Sequence, residues 1–199
     1  MFNILNEIPR KVTVAVSGGP DSMAVLDFLK NAPSVTACHF NHGTQHGSGA
    51  EELVTKYCKD NNIKLVTKYI KRPRPKKQSL EEFWREERLN FFHSFREQVV
   101  TGHHLQDQME WWLFTSTHGN PRLIPYNNGN VIRPFLTTPR EEFREWCIRK
   151  EVPFLDDPSN QDRKHMRNLI RNEILPLTLE VNPGLAKTIK KLVEKQNKT

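Results

Sequence analysis

The chain has 199 residues, enough for one domain with a real core and a small appendage. A formal net charge of +7 and a pI near 9.4 favour a polyanionic partner, nucleic acid first. Cys38, Cys58 and Cys147 form no Cys-x-x-Cys, residues 1–9 do not read as a signal peptide, and no apolar run approaches the roughly 20 residues that span a bilayer; this argues against a disulfide framework, a zinc or iron–sulfur centre and a membrane segment, and a reducing cytoplasm is expected.

Residues 12–16, Val-Thr-Val-Ala-Val, read as a buried strand. The loop Ser17-Gly18-Gly19-Pro20-Asp21-Ser22 follows, and residues 21–30 read as a helix with Met23, Leu26 and Leu29 inward. A strand, a glycine turn and a helix N-terminus aim backbone N–H groups and the positive end of a helix dipole at one point, which suits a phosphate. Gly18 and Gly19 allow unusual backbone angles and close ligand approach. Ser17 and Ser22 add hydroxyl donors, and Asp21 can hold a divalent ion between phosphates. The Gly-Lys-Ser/Thr ending of a Walker A loop is missing, and so is Gly-x-Gly-x-x-Gly.

Residues 35–40 form a second expected strand, ending in His39-Phe40-Asn41-His42, and 43–49 read as a polar loop. Ser48 is a candidate cap for a helix over 50–61. A third strand is expected over 63–70. The run Lys71-Arg72-Pro73-Arg74-Pro75-Lys76-Lys77 then puts five cations in an exposed loop. Ser79 caps the next helix, with Glu82 completing a capping box and Arg85 and Arg88 one turn apart. Residues 98–101 read as a fourth strand and 105–115 as a helix, on which Asp107 and Glu110 share a face able to bind an ammonium group or a metal. His103 and His104 are adjacent and point apart.

Residues 118–130 read as loop, 131–135 as a short extended segment, and Thr138-Pro139 as the start of a helix to about 150, with proline at its first position. A helix is expected over 162–175, broken at Pro176, with Arg163, Arg167 and Arg171 in a stripe able to grip phosphates. Residues 183–195 read as a basic amphipathic helix. The division expected is 1–180 as the catalytic domain and 181–199 as a C-terminal basic helix or tail. Strands alternating with helices imply an α/β, doubly wound, mostly parallel sheet with helices on both faces, whose ligands sit beyond the carboxyl ends of the strands.

The Ser-Gly-Gly-x-Asp-Ser loop resembles the PP-loop of the ATP pyrophosphatases. Five blocks in order are similar to the catalytic domain of the tRNA(Ile)-lysidine synthetase family: residues 17–22; His39 to Gly43; Ser79-Leu80-Glu81-Glu82 with Arg85 and Arg88; Gly102-His103-His104 with Asp107, Gln108 and Glu110; and Asp156 to Asn160 followed by Arg167-Asn168-Leu169-Ile170-Arg171. The resemblance implies use of ATP and Mg²⁺ to adenylate O2 of the wobble cytidine of a CAU-anticodon isoleucine tRNA, followed by attack of the ε-amine of free L-lysine. It implies nucleotide binding by Ser17, Gly18, Gly19, Asp21, Ser22, Arg167 and Arg171, with Mg²⁺ on Asp21. It further implies catalytic roles for Asp21, Arg85, Asp107 and Glu110, the last two recognising lysine, and the family often dimerises. One of the two carboxylates is a candidate acceptor of the amine's proton.

The chain departs from the family pattern at Gln106, where an acidic residue is usual, and at Trp111, where a small one is usual. The family's C-terminal tRNA-binding domains are expected to be absent or reduced to one helix. Two alternatives stay open: a PP-loop tRNA thiolation enzyme, and a non-catalytic tRNA or nucleotide binder.

Overall fold

The computed structural model describes residues 1–43, 45–157 and 166–198, with the side chains of Gln45 and His46 left aside. In chain order the elements are β1 Lys11–Ala15, α1 Pro20–Leu29, β2 Ser34–Asn41, α2 Gln45–Asp60, β3 Lys64–Tyr69, α3 Leu80–His93, β4 Gln98–Val100, α4 Leu105–Thr117, β5 Asn127–Asn128, β6 Val131–Ile132, α5 Arg140–Arg149, α6 Met166–Leu169, α7 Leu175–Val181 and α8 Leu185–Gln196. A π-helical turn, Ile170–Ile174, joins α6 to α7.

The sheet order is β3-β2-β1-β4-β6-β5, parallel except for the β5–β6 edge. The chain leaves β1 toward β2 and β3, then returns to build β4 and β6 on the other side. The order therefore reverses between β1 and β4, and that switch point opens a crevice at the strands' carboxyl ends. The expected α/β architecture is the observed one.

Alternation along the strands fills both faces. Val12, Val14, Val16, Val100 and Ile132 join one buried cluster with Met23, Leu26, Val54 and Phe143. Val99, Val131, Cys38 and Phe40 join another with Phe91 and Phe92 of α3. Each such side chain contributes about 1.5–3 kcal/mol of burial. Within the first face, Asp27 is 6 % exposed and accepts from Tyr57 Oη at 2.6 Å and Trp146 Nε1 at 2.7 Å, with Lys30 Nζ at 2.6 Å. That carboxylate ties α1 to α2 and α5, so the helix carrying the glycine loop is held from two sides.

Three local expectations are corrected. Helix α2 begins at Gln45 rather than near residue 50, so Ser48 lies inside it and caps nothing. Small residues there serve packing: a Cβ on Gly18 would lie 2.9 Å from Ala50 Cβ, so the helix presses closely on the loop. Pro139 is the cap of α5 rather than its first residue. Pro176 does not break the helix. A proline lacks an N–H and crowds the carbonyl four residues back; the wider π turn just before it absorbs both defects, and the helix continues to Val181. The basic tail helix α8 buries Leu185, Ile189 and Val193 against Leu105 and Met109 of α4, with Leu136 and Leu175, and so is packed onto the rest.

Candidate functional site

The loop after β1 is held open by its own serines. Ser17 N–H donates to Ser22 Oγ at 3.0 Å, the two hydroxyls are 3.1 Å apart, and Ser22 Oγ donates to Gly19 O at 3.1 Å. Gly18 has φ +87°, the left-handed region that glycine adopts without strain. Gly19 begins α1 with no side chain capping it, and Pro20 fills a first-turn position where its missing N–H costs nothing. Leu155 N–H donates to Gly18 O at 2.9 Å, fixing the far side of the turn. Val16 O accepts from His39 Nδ1 at 2.8 Å, which ties β2's exit to the same corner and leaves His39 Nε2 buried without a partner.

Gly102, at the exit of β4, completes the floor. A Cβ there would sit 3.1 Å from Asp21 O, so the β4 exit approaches α1 as closely as backbone permits. His104 follows and caps α4: its Nδ1 accepts from Asp107 N–H at 3.2 Å, while Asp107 Oδ2 accepts from His104 N–H at 3.0 Å. This reciprocal cap, formed by histidine and aspartate, was not foreseen from the sequence. Its effect is to turn His104 Nε2 toward Asp21 Oδ2, 3.7 Å away. Burial disfavours charge on His104, but the carboxylates of Asp107, Asp21 and Glu110 outweigh it and raise its pKa. Asp21 Oδ1 is buried with no partner.

The face shared by Asp107 and Glu110 is real, and a third group meets it. Arg171 projects from the π turn and grips Glu110 with both arms, Nε to Oε1 at 2.6 Å and Nη2 to Oε2 at 2.9 Å, with Asp107 Oδ1 at 3.6 Å from Nη2. Glu110 is only 2 % exposed. Burial opposes the Asp107 charge, yet His104, His103, the backbone and Arg171 bring its pKa down to about 2. Among the described residues, the site thus gathers three carboxylates, Asp21, Asp107 and Glu110, about Arg171 and the imidazole of His104.

Arg171, expected to bind nucleotide, is held here on the two carboxylates. Of the stripe it was to belong to, Arg167 is exposed and Arg163 lies outside the described residues. The turn after Asp157 also lies outside them. A carboxylate held near pKa 2 is a weak base, so Asp107 fits the recognition of a cation better than proton transfer. Gln106, the departure from the family pattern, has a job of its own. Its Oε1 accepts from Arg140 N–H at 2.8 Å and its Nε2 donates to Glu141 at 3.0 Å, so it supplies the start of α5 with a cap that Pro139 cannot. Trp111 stacks on Phe114 with ring centroids 5.7 Å apart.

Across the β4 exit the charges are of the other sign. His103 turns away from His104, its Nδ1 2.8 Å from Thr101 Oγ1. Burial lowers its pKa to about 3, with Arg133 and Arg88 adding to the effect against Asp107. Arg88 stands on the exposed face of α3, and desolvation of its guanidinium together with Arg167 and Arg85 lowers its pKa. His42 is brought down to about 4 by burial, Arg88 and His39. Arg85 joins this group rather than the acidic pocket. Arg133, at the end of β6, is 7 % exposed and was missed at the sequence level; the signal available was a cation ending the apolar pair Val131-Ile132.

Ser79 caps α3 as expected, accepting from Glu82 N–H at 3.2 Å. The basic run 71–77 is exposed, but Arg72 is drawn back onto Glu87 at 2.7 Å and Glu86 at 2.8 Å. All three cysteines are buried and unpaired. No helix among the described residues is long and apolar enough to cross a membrane.

Comparison with known proteins places this geometry. A family model described as a PP-loop domain matches residues 2–178. A tRNA(Ile)-lysidine synthase of Legionella pneumophila (strain Paris) is 35 % identical over 196 residues, covering 90 % of this chain and 45 % of that protein. Those of Francisella philomiragia and Lactiplantibacillus plantarum are 30 % and 31 % identical, covering 94 % and 89 % of this chain and 50 % and 44 % of their own lengths. The chain spans about half the length of the curated relatives it matches. An NH3-dependent NAD synthetase from Campylobacter jejuni, solved in complex with nitrate, shares the fold at a TM-score of 0.52 and 16 % identity, over 96 % of this chain and 87 % of that one.

Proposed function

The chain belongs to the PP-loop domain family, which implies use of ATP, and on that premise we propose that it is a tRNA-modifying ligase of the lysidine-forming kind. The observation that carries the reading is a coincidence of two sites: the open serine–glycine loop, and beside it a pocket with more carboxylates than cations. The first suits a triphosphate; the second suits an ammonium group. Similarity to three tRNA(Ile)-lysidine synthases supports both substrates.

The reaction divides in two. In the first step O2 of the wobble cytidine bonds to the α-phosphorus of ATP, and the α–β bridging bond breaks to release pyrophosphate. In the second, the neutral ε-amine of lysine bonds to C2, the C2–O2 bond breaks, and AMP leaves with O2. Adenylation matters because a base oxygen is a poor leaving group and AMP is a good one.

The chain's residues divide the labour accordingly. The N-terminus of α1 presents backbone N–H donors to the phosphates, and the hydroxyls of Ser17 and Ser22 hold the loop in that shape. The orphaned, buried Oδ1 of Asp21 fits a divalent cation, and His104 Nε2 lies 3.7 Å from the other carboxylate oxygen. Asp21 would hold Mg²⁺, which when bound would supply positive charge against the leaving pyrophosphate. Asp107 and Glu110, steadied by Arg171, attract the incoming lysine and orient its amine. Arg85 lies on the basic side, where an anionic reacting centre gains from its charge.

Thiolation fits poorly. Burial raises all three thiol pKa values, Cys58 to about 11, Cys147 to about 12 and Cys38 further, so none supplies a thiolate near neutral pH. The test is mass spectrometry of nucleosides from a CAU-anticodon tRNA(Ile) incubated with the protein, ATP, Mg²⁺ and L-lysine. Appearance of lysidine is expected. Pyrophosphate release with no lysidine contradicts lysine as the nucleophile, and neither product leaves a binding remnant.

A further inference from the structure

The basic side of the β4 exit contains a charge that the fold does not satisfy. Ile132 pairs with Val100, and Thr101 N–H donates to Ile132 O at 3.1 Å, so Arg133 emerges beside Gly102 and His103 at the lip of the crevice. Arg133 as a whole is buried. One arm donates to Pro125 O at 2.8 Å, and its Nε has no partner at all. No carboxylate faces it among the described residues. Its charged neighbours are Arg85 and, across the lip, His103 and Arg88, with Arg167 and His42 next to Arg88.

Among the described residues, four guanidiniums from three separate elements thus gather with two imidazoles, and the one carboxylate acting on the group, Asp107, reaches it through His103. A buried cation left unpaired is costly, and like charges gathered round it add to the cost. Such a group persists where a ligand supplies the missing anion. We propose that Arg133 and Arg88 form a second phosphate site, separate from the serine–glycine loop, that takes a backbone phosphate of the RNA next to the reacting base.

Three features favour RNA over the nucleotide as the source of that phosphate. His103 and His104 point to opposite sides of the β4 exit, and Asp21 with the loop lies on the His104 side. The loop already presents its own donors to a triphosphate. A guanidinium fork with an unpaired Nε suits the two free oxygens of a phosphodiester. This inference rests on the tRNA reading above and deepens it by naming where the polynucleotide is held.

The test measures binding of a CAU-loop RNA hairpin at several salt concentrations, without lysine, and in parallel binding of a non-hydrolysable ATP analogue. Arg133→Gln keeps a donor for Pro125 O while removing the charge. Arg88→Gln, on the exposed face of α3, serves should Arg133→Gln fail to fold. Each variant is expected to weaken RNA binding roughly tenfold at low salt, to reduce the salt slope by about 0.7–0.9, and to leave analogue affinity unchanged. Unchanged RNA affinity and slope in a folded variant overturns the second site, and so does loss confined to the analogue. If the wild-type chain itself binds no RNA, the tRNA reading falls as well, which separates the two failures.

Discussion

On one side of the β4 exit, Glu110 and Asp107 are matched by Arg171 and His104 at hydrogen-bonding or ion-pair distances. On the other, Arg133 donates to Pro125 O, and among the described residues the charged neighbours named for Arg133 and Arg88 are cations. The first cluster is held by its own contacts and keeps its shape without a ligand. The second gains its partner only from outside. A paired cluster sets geometry, whereas an unpaired one waits for substrate, and mutations in the two are expected to fail in opposite ways.

The largest expected effect is on the paired side. Arg171→Ala strands Glu110, a buried carboxylate, and is expected to destabilise the chain by about 3–5 kcal/mol in a urea titration. The double variant Arg171→Leu with Glu110→Leu is expected to recover much of that, since both charges leave together. Equal losses in the single and double variants would break the comparison, because the pair would then contribute nothing as a pair.

Acid titration separates the clusters next. The folded pKa of His42 is depressed to about 4, so as pH falls the unfolded chain takes up that proton first. The stability is complete above about pH 6.5, declines as pH falls toward 4 by about 2–3 kcal/mol, and then levels off for this group. Asp107 acts lower. Its folded pKa of about 2 means stability present above its unfolded value near 4 and lost as pH falls through 2. His42→Gln is expected to reduce the upper limb, to which the depressed His103 also contributes, and to leave the lower one, measured as melting temperature against pH. A limb unchanged in this variant assigns the upper transition elsewhere.

The smallest effect is on the unpaired side. Arg88→Gln removes one of several repelling charges and is expected to change stability by no more than about 0.5 kcal/mol in either direction. A loss above 2 kcal/mol would reveal a partner for Arg88 within the fold and erase the contrast.

What the sequence made legible follows from range. The β1–loop–α1 corner is a local structure: a valine-rich strand, glycines and a periodic apolar helix lie within 20 residues, and all were readable. The same holds for Ser79 and for the shared face of Asp107 and Glu110. The start of α2 was not readable because Gly47 and Gly49 disfavour helix locally, while packing of Ala50 against Gly18 decides the matter from a distance. The contact of Arg171 with Glu110 was not readable, because it joins residues 61 apart on separate elements. Pro176 looked like a stop, and a π turn reconciled it with a continuing helix. Arg133 carries only a faint local mark, a cation ending the apolar pair Val131-Ile132, and the sheet order is what brings it beside His103.

The central claim is that Asp21 and the loop before it hold ATP so that AMP passes to an RNA base. Single-turnover release of pyrophosphate from ATP, with CAU-anticodon tRNA(Ile) present and lysine omitted, tests it most directly. The account predicts a burst of pyrophosphate that requires the tRNA, and its loss by at least about a hundredfold in Asp21→Asn. No burst from the wild-type chain, or an equal burst from Asp21→Asn, would contradict it.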